Sequence, residues 1–152
     1  MADVFGMALK DYQNGHYTED IKTYSSLDEE DVIPIPYLFR TFNEMPKIEQ
    51  KALQLAQGKV LDIGAGAGSH ALYLQNKGYG VTALDNSEGA IDVCKDRGIK
   101  STLLNNILDY SEGKYDTLLL LMNGIGLAGK LKNLSPFLQH LALLLLPNGQ
   151  IL

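Results

Sequence analysis

The chain has 152 residues, 45% of them hydrophobic, and a formal net charge of −5, the size of one domain with a real core. The acidic balance argues against a broad nucleic-acid surface. A single cysteine, Cys94, excludes an internal disulfide or a cysteine-cluster metal site. No apolar run is long enough to span a bilayer and no secretory pattern opens the chain, so the expectation is a soluble cytoplasmic protein without a membrane partner.

Asp3 to Tyr12 reads as a short helix with Phe5, Leu9 and Tyr12 on one face, broken by Asn14-Gly15. Thr18 to Ser26 reads as a second short helix carrying Ile21 and Tyr24. The acidic run Leu27-Asp28-Glu29-Glu30-Asp31 is expected to be a solvated loop or a helix start. Pro34 and Pro36 flank an extended segment, after which Tyr37-Leu38-Phe39-Arg40-Thr41-Phe42 resumes an apolar pattern. A helix follows from Pro46 to Gly58, with Ile48, Ala52 and Leu55 along one face. Residues 1–57 are therefore expected to form a helical cap beside a core of residues 58–152. Arg40 has two readings: a planar cation that takes a ligand carboxylate, or a surface arginine with a packed stem, the second weighing somewhat more.

The pattern then changes. Val60-Leu61-Asp62-Ile63 is a buried strand, Gly64-Ala65-Gly66-Ala67-Gly68 has glycine at every second position, and a helix begins at Ser69-His70. Glycine allows a sharp turn and a close approach to a ligand, and the helix N-terminus turns its free N–H groups toward that ligand. A dinucleotide site wants G-x-G-x-x-G with an acidic residue about 20 residues on. Here Ser69 stands where that pattern wants glycine, and Asp62 would repel a pyrophosphate while attracting an ammonium or sulfonium centre. The next strand, Tyr79–Leu84, ends at Asp85, whose carboxylate can accept both hydroxyls of a ribose. A ligand with a ribose, a positive charge and no phosphate is implied, and S-adenosylmethionine fits that description.

Between these strands Ala71, Leu72 and Leu74 form a buried helix side that ends at Gly78, and His70 reads as a helix-start residue near the ligand. Ser87 is an N-cap for a helix carrying Ala90, Ile91 and Cys94, closed by Gly98. A third strand, Lys100–Leu104, leads into Asn105-Asn106-Ile107. Tyr115 to Met122 is the fourth strand, its unbroken apolar run Leu118–Met122 suited to a strand covered on both faces, and Asn123-Gly124 follows at its carboxyl end, where open α/β sheets bind ligands. A helix spans about residues 134–146, Pro147-Asn148-Gly149 is a turn, and Gln150-Ile151-Leu152 begins a fifth strand. Strands alternating with helices imply an α/β fold with a parallel sheet and right-handed crossovers.

Val60 to Gly68, followed by Asp85, resembles the first two motifs of the class I S-adenosylmethionine-dependent methyltransferases, over roughly residue 58 to the C-terminus. The resemblance implies a Rossmann-like three-layer sandwich with strand order 3-2-1-4-5, lacking the antiparallel strands that normally follow the fifth. It implies that S-adenosylmethionine is held by Asp62, Gly64, Ala65, Gly66 and Gly68, by Asp85 and Asn86, by Asn106 and Ile107 at the adenine, and by Leu121, Met122 and Asn123 along the methionine half; on the ligand reading above, Arg40 would join them. The implied reaction is methyl transfer; the acidic charge and the lack of a basic arm point to a small-molecule acceptor, with an RNA or protein acceptor left open. No catalytic residue is named, because displacement at an activated methyl needs alignment and exclusion of water more than a base. No metal and no nucleic-acid partner is expected. A non-catalytic S-adenosylmethionine-binding or assembly domain is the alternative, while Asp62 and Ser69 speak against a nicotinamide-dependent oxidoreductase. The apolar fifth strand, left as an edge, invites self-association, unless the chain is cut from a longer protein.

Overall fold

The structure is a computed structural model that describes residues 2–25 and 29–152. Asp3 caps the first helix, α1 (Val4–Gln13), by accepting from the Gly6 N–H at 2.9 Å. The segment expected as a second helix is a strand instead. β1 (Ile21–Tyr24) pairs antiparallel with β2 (Glu30–Ile33), Ile21 opposite Ile33 and Tyr24 opposite Glu30. Ile-Lys-Thr-Tyr alternates half-buried and exposed side chains, and Ile, Thr and Tyr fit a pleated, half-buried surface. Glu30 and Asp31 of the acidic run thus lie in a strand, not in a loop or helix start. Ser26, Leu27 and Asp28 lie outside the described residues. Next, α2 (Ile35–Leu38) is a single turn with Pro36 in its first positions, and a 3₁₀ turn over Phe42–Glu44 carries a Thr41/Glu44 capping box. α3 (Lys47–Leu55) begins after Pro46 as expected, but it buries Glu49 and Leu53 while Ile48 and Leu55 are exposed. A hydrophobicity pattern misses this face because ion pairing, not apolar character, takes Glu49 inside.

From here β3 (Lys59–Ile63), α4 (Ser69–Asn76), β4 (Gly80–Asp85), α5 (Glu88–Asp96), β5 (Thr102–Leu104), β6 (Tyr115–Leu119), α6 (Leu134–Leu143) and β7 (Leu145–Ile151) alternate. They form a five-stranded parallel sheet in the order β5-β4-β3-β6-β7, which is the expected 3-2-1-4-5 of the core strands. β3 is covered on both faces. Val60 joins Leu53, Leu74 and Leu119 on one side, and Leu61 and Ile63 join Leu118, Phe137 and Leu141 on the other. Ser87 caps α5 by accepting from the Ala90 N–H at 3.0 Å.

Elements near the end of the chain are shorter or longer than their pattern. β6 stops at Leu119, not Met122, and Met122 and Asn123 take left-handed φ of 54° and 65°. α6 stops at Leu143, so Leu145 and Leu146 belong to β7. Pro147-Asn148-Gly149, expected as a turn before that strand, is a bulge within it: pairing shifts between Tyr115↔Leu145 and Thr117↔Gln150. Among the described residues no strand pairs with the other side of β7, a position where a proline is tolerated. Among the described residues, no helix is long and apolar enough to cross a membrane.

The N-terminal helix is fastened to the core. Asp3 Oδ2 accepts from the Ser87 hydroxyl at 2.8 Å and from the Gly89 N–H at 2.9 Å. α1 and α5 approach so closely at Gly6 and Gly89 that a Cβ on Gly89 would lie 2.5 Å from the Gly6 backbone.

Candidate functional site

The carboxyl ends of the inner strands face two cavities that share Gly64. One, of about 210 Å³, is lined by Phe5, Ile33, Leu38, Arg40, Asp62, Gly64 to Ala67, Ser69, His70, Leu121 and Met122. The other is lined by Gly64, Asp85, Asn86, Asn106, Ile107 and Leu127, among others. At Gly64, φ is +72° and an added Cβ would meet nothing within 4 Å, so the backbone there is open to a ligand. Gly68 has a different task. An added Cβ would lie 2.3 Å from Ile99 and 2.9 Å from Cys94, so its bare backbone lets the start of α4 pack close to α5.

Asp85, the last residue of β4, is 7% exposed. Its Oδ2 accepts from the Gly66 N–H at 2.9 Å and its Oδ1 from the Ser87 N–H at 2.9 Å. Burial raises its pKa, opposed by the N–H groups of Ser87, Gly66 and Asn86. One carboxylate thereby ties the glycine loop to the start of α5, and each oxygen keeps a lone pair for another donor. Asp62, 2% exposed, accepts from the Ala71 N–H in the first turn of α4 at 3.2 Å. Burial pushes its carboxyl up, against the pull of His70.

Arg40 is not a surface arginine: it is 5% exposed. Its Nη1 donates to the Tyr37 carbonyl at 2.6 Å, and the guanidinium stacks 4.1 Å from the centre of the Tyr37 ring. Its Nη2 donates to Glu49 and contacts Met122 Sδ at 3.2 Å. Its Nε is buried and has no hydrogen-bond partner among the described residues. Glu49 Oε2 also meets His70 Nε2 at 2.8 Å.

Several of these groups escape sequence reasoning. Glu49 sits on a helix where only an apolar stripe signals burial. Arg97 Nη1 donates to the Ala67 carbonyl of the glycine loop and lies 3.1 Å from Ser69 Oγ, which donates to the Leu38 carbonyl at 2.8 Å; the loop is thus stapled to the cap. Cys94 is a packed thiol pushed up to about 12 by burial. Of the expected ligand residues, Asp62, Gly64, Ala65, Gly66, Arg40, Leu121 and Met122 line the first cavity, and Asp85, Asn86, Asn106 and Ile107 the second. Gly68 and Asn123 line neither. The Asn106 side-chain oxygen already accepts from the Leu108 N–H at 3.0 Å. Among the described residues, no group of His, Cys, Asp and Glu could hold a metal ion.

Known proteins share this fold. The family model described as tellurite resistance protein TehB matches residues 37–117. A SAM-dependent methyltransferase from Bacteroides fragilis, crystallised with S-adenosyl-L-homocysteine, superposes with a TM-score of 0.92 at 40% identity, over 98% of this chain and 62% of that one. This chain therefore spans less than two thirds of that relative's length. The CcbJ methyltransferase from Streptomyces caelestis matches with a TM-score of 0.61 at 21% identity, over 74% of this chain and 50% of its own. A SAM-dependent methyltransferase from Geobacter sulfurreducens matches with 0.54 at 23%, over 70% and 47%. At those identities the last two share the fold alone. A search of curated proteins found no significant match.

Proposed function

The chain belongs to the TehB family of class I S-adenosylmethionine-dependent methyltransferases, and from that premise we propose that it binds S-adenosylmethionine across the carboxyl ends of β3, β4, β5 and β6 and methylates a small molecule. The observation that carries the reading is the pair of cavities meeting at Gly64, with Arg40 and Asp62 in one and Asp85 in the other. The residues present fit the cofactor. A buried guanidinium N–H without an acceptor is costly, and a ligand carboxylate would satisfy Arg40 Nε. Asp62 is the opposite charge for an ammonium. The Asp85 oxygens have capacity left for two hydroxyls, and buried Ile107 offers apolar contact to an adenine.

When bound, S-adenosylmethionine supplies a methyl group already activated by its sulfonium. The chain's own part is to orient and to exclude water. Phe5, Leu38, Leu121 and Met122 give the first cavity apolar walls, and Gly64, Ala65 and Gly66 let the backbone come close. Gly68 supports the loop from behind. Asn86 and Asn106 flank the second cavity, and Asn123 continues the left-handed turn that sets Met122. Residues 1–57 act as the cap and residues 58–152 as the cofactor-binding core. The net charge of −5 supports a small acceptor over a nucleic acid.

Calorimetry tests the first half of the reading: S-adenosylhomocysteine should bind and NAD should not. Tight NAD binding with no response to S-adenosylhomocysteine would sink it. For the second half, methyl transfer to a panel of small acceptors is expected, and binding without transfer to any acceptor would favour a binding or assembly domain.

A further inference from the structure

We propose that Glu49 is a positioning residue for cofactor binding, setting the Arg40 guanidinium and the His70 imidazole so that Arg40 offers its free Nε to the carboxylate of the ligand's amino-acid half. The proposal rests on the cofactor reading above. Arg40 lies after α2, Glu49 in the first turn of α3 and His70 in the first turn of α4. One oxygen, Glu49 Oε2, meets both Arg40 Nη2 and His70 Nε2, and all three side chains are nearly closed to solvent, at 4%, 8% and 9% exposure for Arg40, Glu49 and His70. A carboxylate taken this far from water is strongly disfavoured unless paired, and a buried pair of this kind is weak evidence for a role in stability alone.

The placement points to the site. Arg40 and His70 line the cavity that holds Asp62, whereas Glu49 does not, so Glu49 acts through its two partners. The Tyr37 carbonyl holds Nη1, Glu49 and Met122 Sδ hold Nη2, and Nε is buried with no partner among the described residues. A guanidinium fixed at two of its nitrogens has one orientation in which to present the third. Without Glu49 the planar fork is held only by a carbonyl, a thioether and a stacked ring.

The test compares Glu49→Gln, Glu49→Ala and Glu49→Asp in the full chain, with affinities measured by calorimetry for S-adenosylhomocysteine and for 5′-methylthioadenosine, which keeps the adenosine and thioether but lacks the amino-acid half. Glu49→Gln keeps an acceptor at the same reach and should bind S-adenosylhomocysteine within about threefold of the wild type, less than one hydrogen bond's worth. Glu49→Ala and Glu49→Asp should lose about tenfold or more, the scale of one charged hydrogen bond. Methylthioadenosine binding should be unchanged in all three. If Glu49→Ala fails to fold, Glu49→Asp carries the test, since it keeps the charge but shortens the reach by one methylene. Wild-type affinity for S-adenosylhomocysteine in the Ala or Asp variant would overturn the proposal, as would equal loss for both ligands, which marks a general structural role. A wild-type chain that binds no S-adenosylhomocysteine would overturn the cofactor reading itself, and this proposal with it.

Discussion

Asp85 uses part of its acceptor capacity on the protein and has part left for a ligand, so its removal should be felt twice. Asp85→Ala is expected to weaken S-adenosylhomocysteine binding by about 2–4 kcal/mol and to lower the stability of the free protein by about 1–3 kcal/mol, because the Gly66 and Ser87 N–H groups lose their acceptor. Asp85→Asn, which keeps one side-chain acceptor, should cost less on both counts. Unchanged affinity in a folded Asp85→Ala variant would mean that the carboxylate serves the loop alone. Burial raises both carboxyls, but Asp62 sits deeper and accepts from the Ala71 N–H where Asp85 accepts from two backbone N–H groups, so Asp62 is expected to behave differently. Its folded-state pKa lies above the ordinary 3.8, chiefly through burial, so the native state binds this proton more tightly than the unfolded chain. Stability therefore falls as pH rises from the unfolded value through the raised one, and the loss persists above it. Asp62→Asn should thus raise the melting temperature of the free protein at pH 7, by about 2–4 °C for each kcal/mol relieved, and flatten its rise on acidification, while weakening ligand binding. A lower melting temperature at pH 7 would show that what the charge gains from His70 and the Ala71 N–H outweighs the burial penalty. Asp62 and Asp85 are legible in the sequence because the strand and the glycine loop announce them. Arg40, Glu49 and His70 form one cluster only through contacts across 9 and 21 residues, which no local pattern carries.

The helix α1 is held to the core by Asp3 and by the bare backbones of Gly6 and Gly89, and it brings Phe5 to the wall of the first cavity, where the ring lies 3.8 Å from where a Cβ on Gly66 would stand. Gly89→Ala should therefore act at two places. The new methyl cannot share space with the Gly6 backbone, so α1 must shift, at a cost of about 1–3 kcal/mol. Phe5 shifts with it, and S-adenosylhomocysteine affinity should fall as well. Thermal melts of the free protein and calorimetry on the folded variant check the two effects; loss of stability with full affinity would show that α1 is a support and no part of the site. The cores of these elements were legible where the chain carries strong punctuation, as at Ser87 before α5 and Pro46 before α3. The hairpin was not, because Ile21 and Tyr24 are spaced by three and fit a helix face as well as a strand. The bulge in β7 was not, because Pro-Asn-Gly reads locally as a turn, and only pairing with β6 makes it part of a strand.

At the scale of the whole molecule, the parallel order of the core follows from the alternation of strands and helices, and it leaves β7 at one end of the sheet. β7 pairs with β6, and no strand among the described residues takes its other side. Its two halves differ in what they offer a neighbour. Pro147 lacks an N–H and Asn148 has a φ of 64° within the bulge, features that blunt an edge against pairing. Beyond the bulge the strand is regular. Gln150 turns its side chain inward, 2.6 Å from the Leu55 carbonyl and 3.2 Å from Thr117 Oγ1, and Ile151 is 38% exposed. Among the described residues the open stretch is therefore short, and the association this 152-residue chain makes through it should be weak: monomer at low concentration, with dimer growing as concentration rises. Sedimentation across a concentration series should show this. Ile151→Lys, which places a charge on the edge, should suppress it without changing S-adenosylhomocysteine binding, since Ile151 lines neither cavity. A monomer at every concentration would show that the bulge protects the whole edge, and dimerisation undiminished in Ile151→Lys would place the contact elsewhere on the surface.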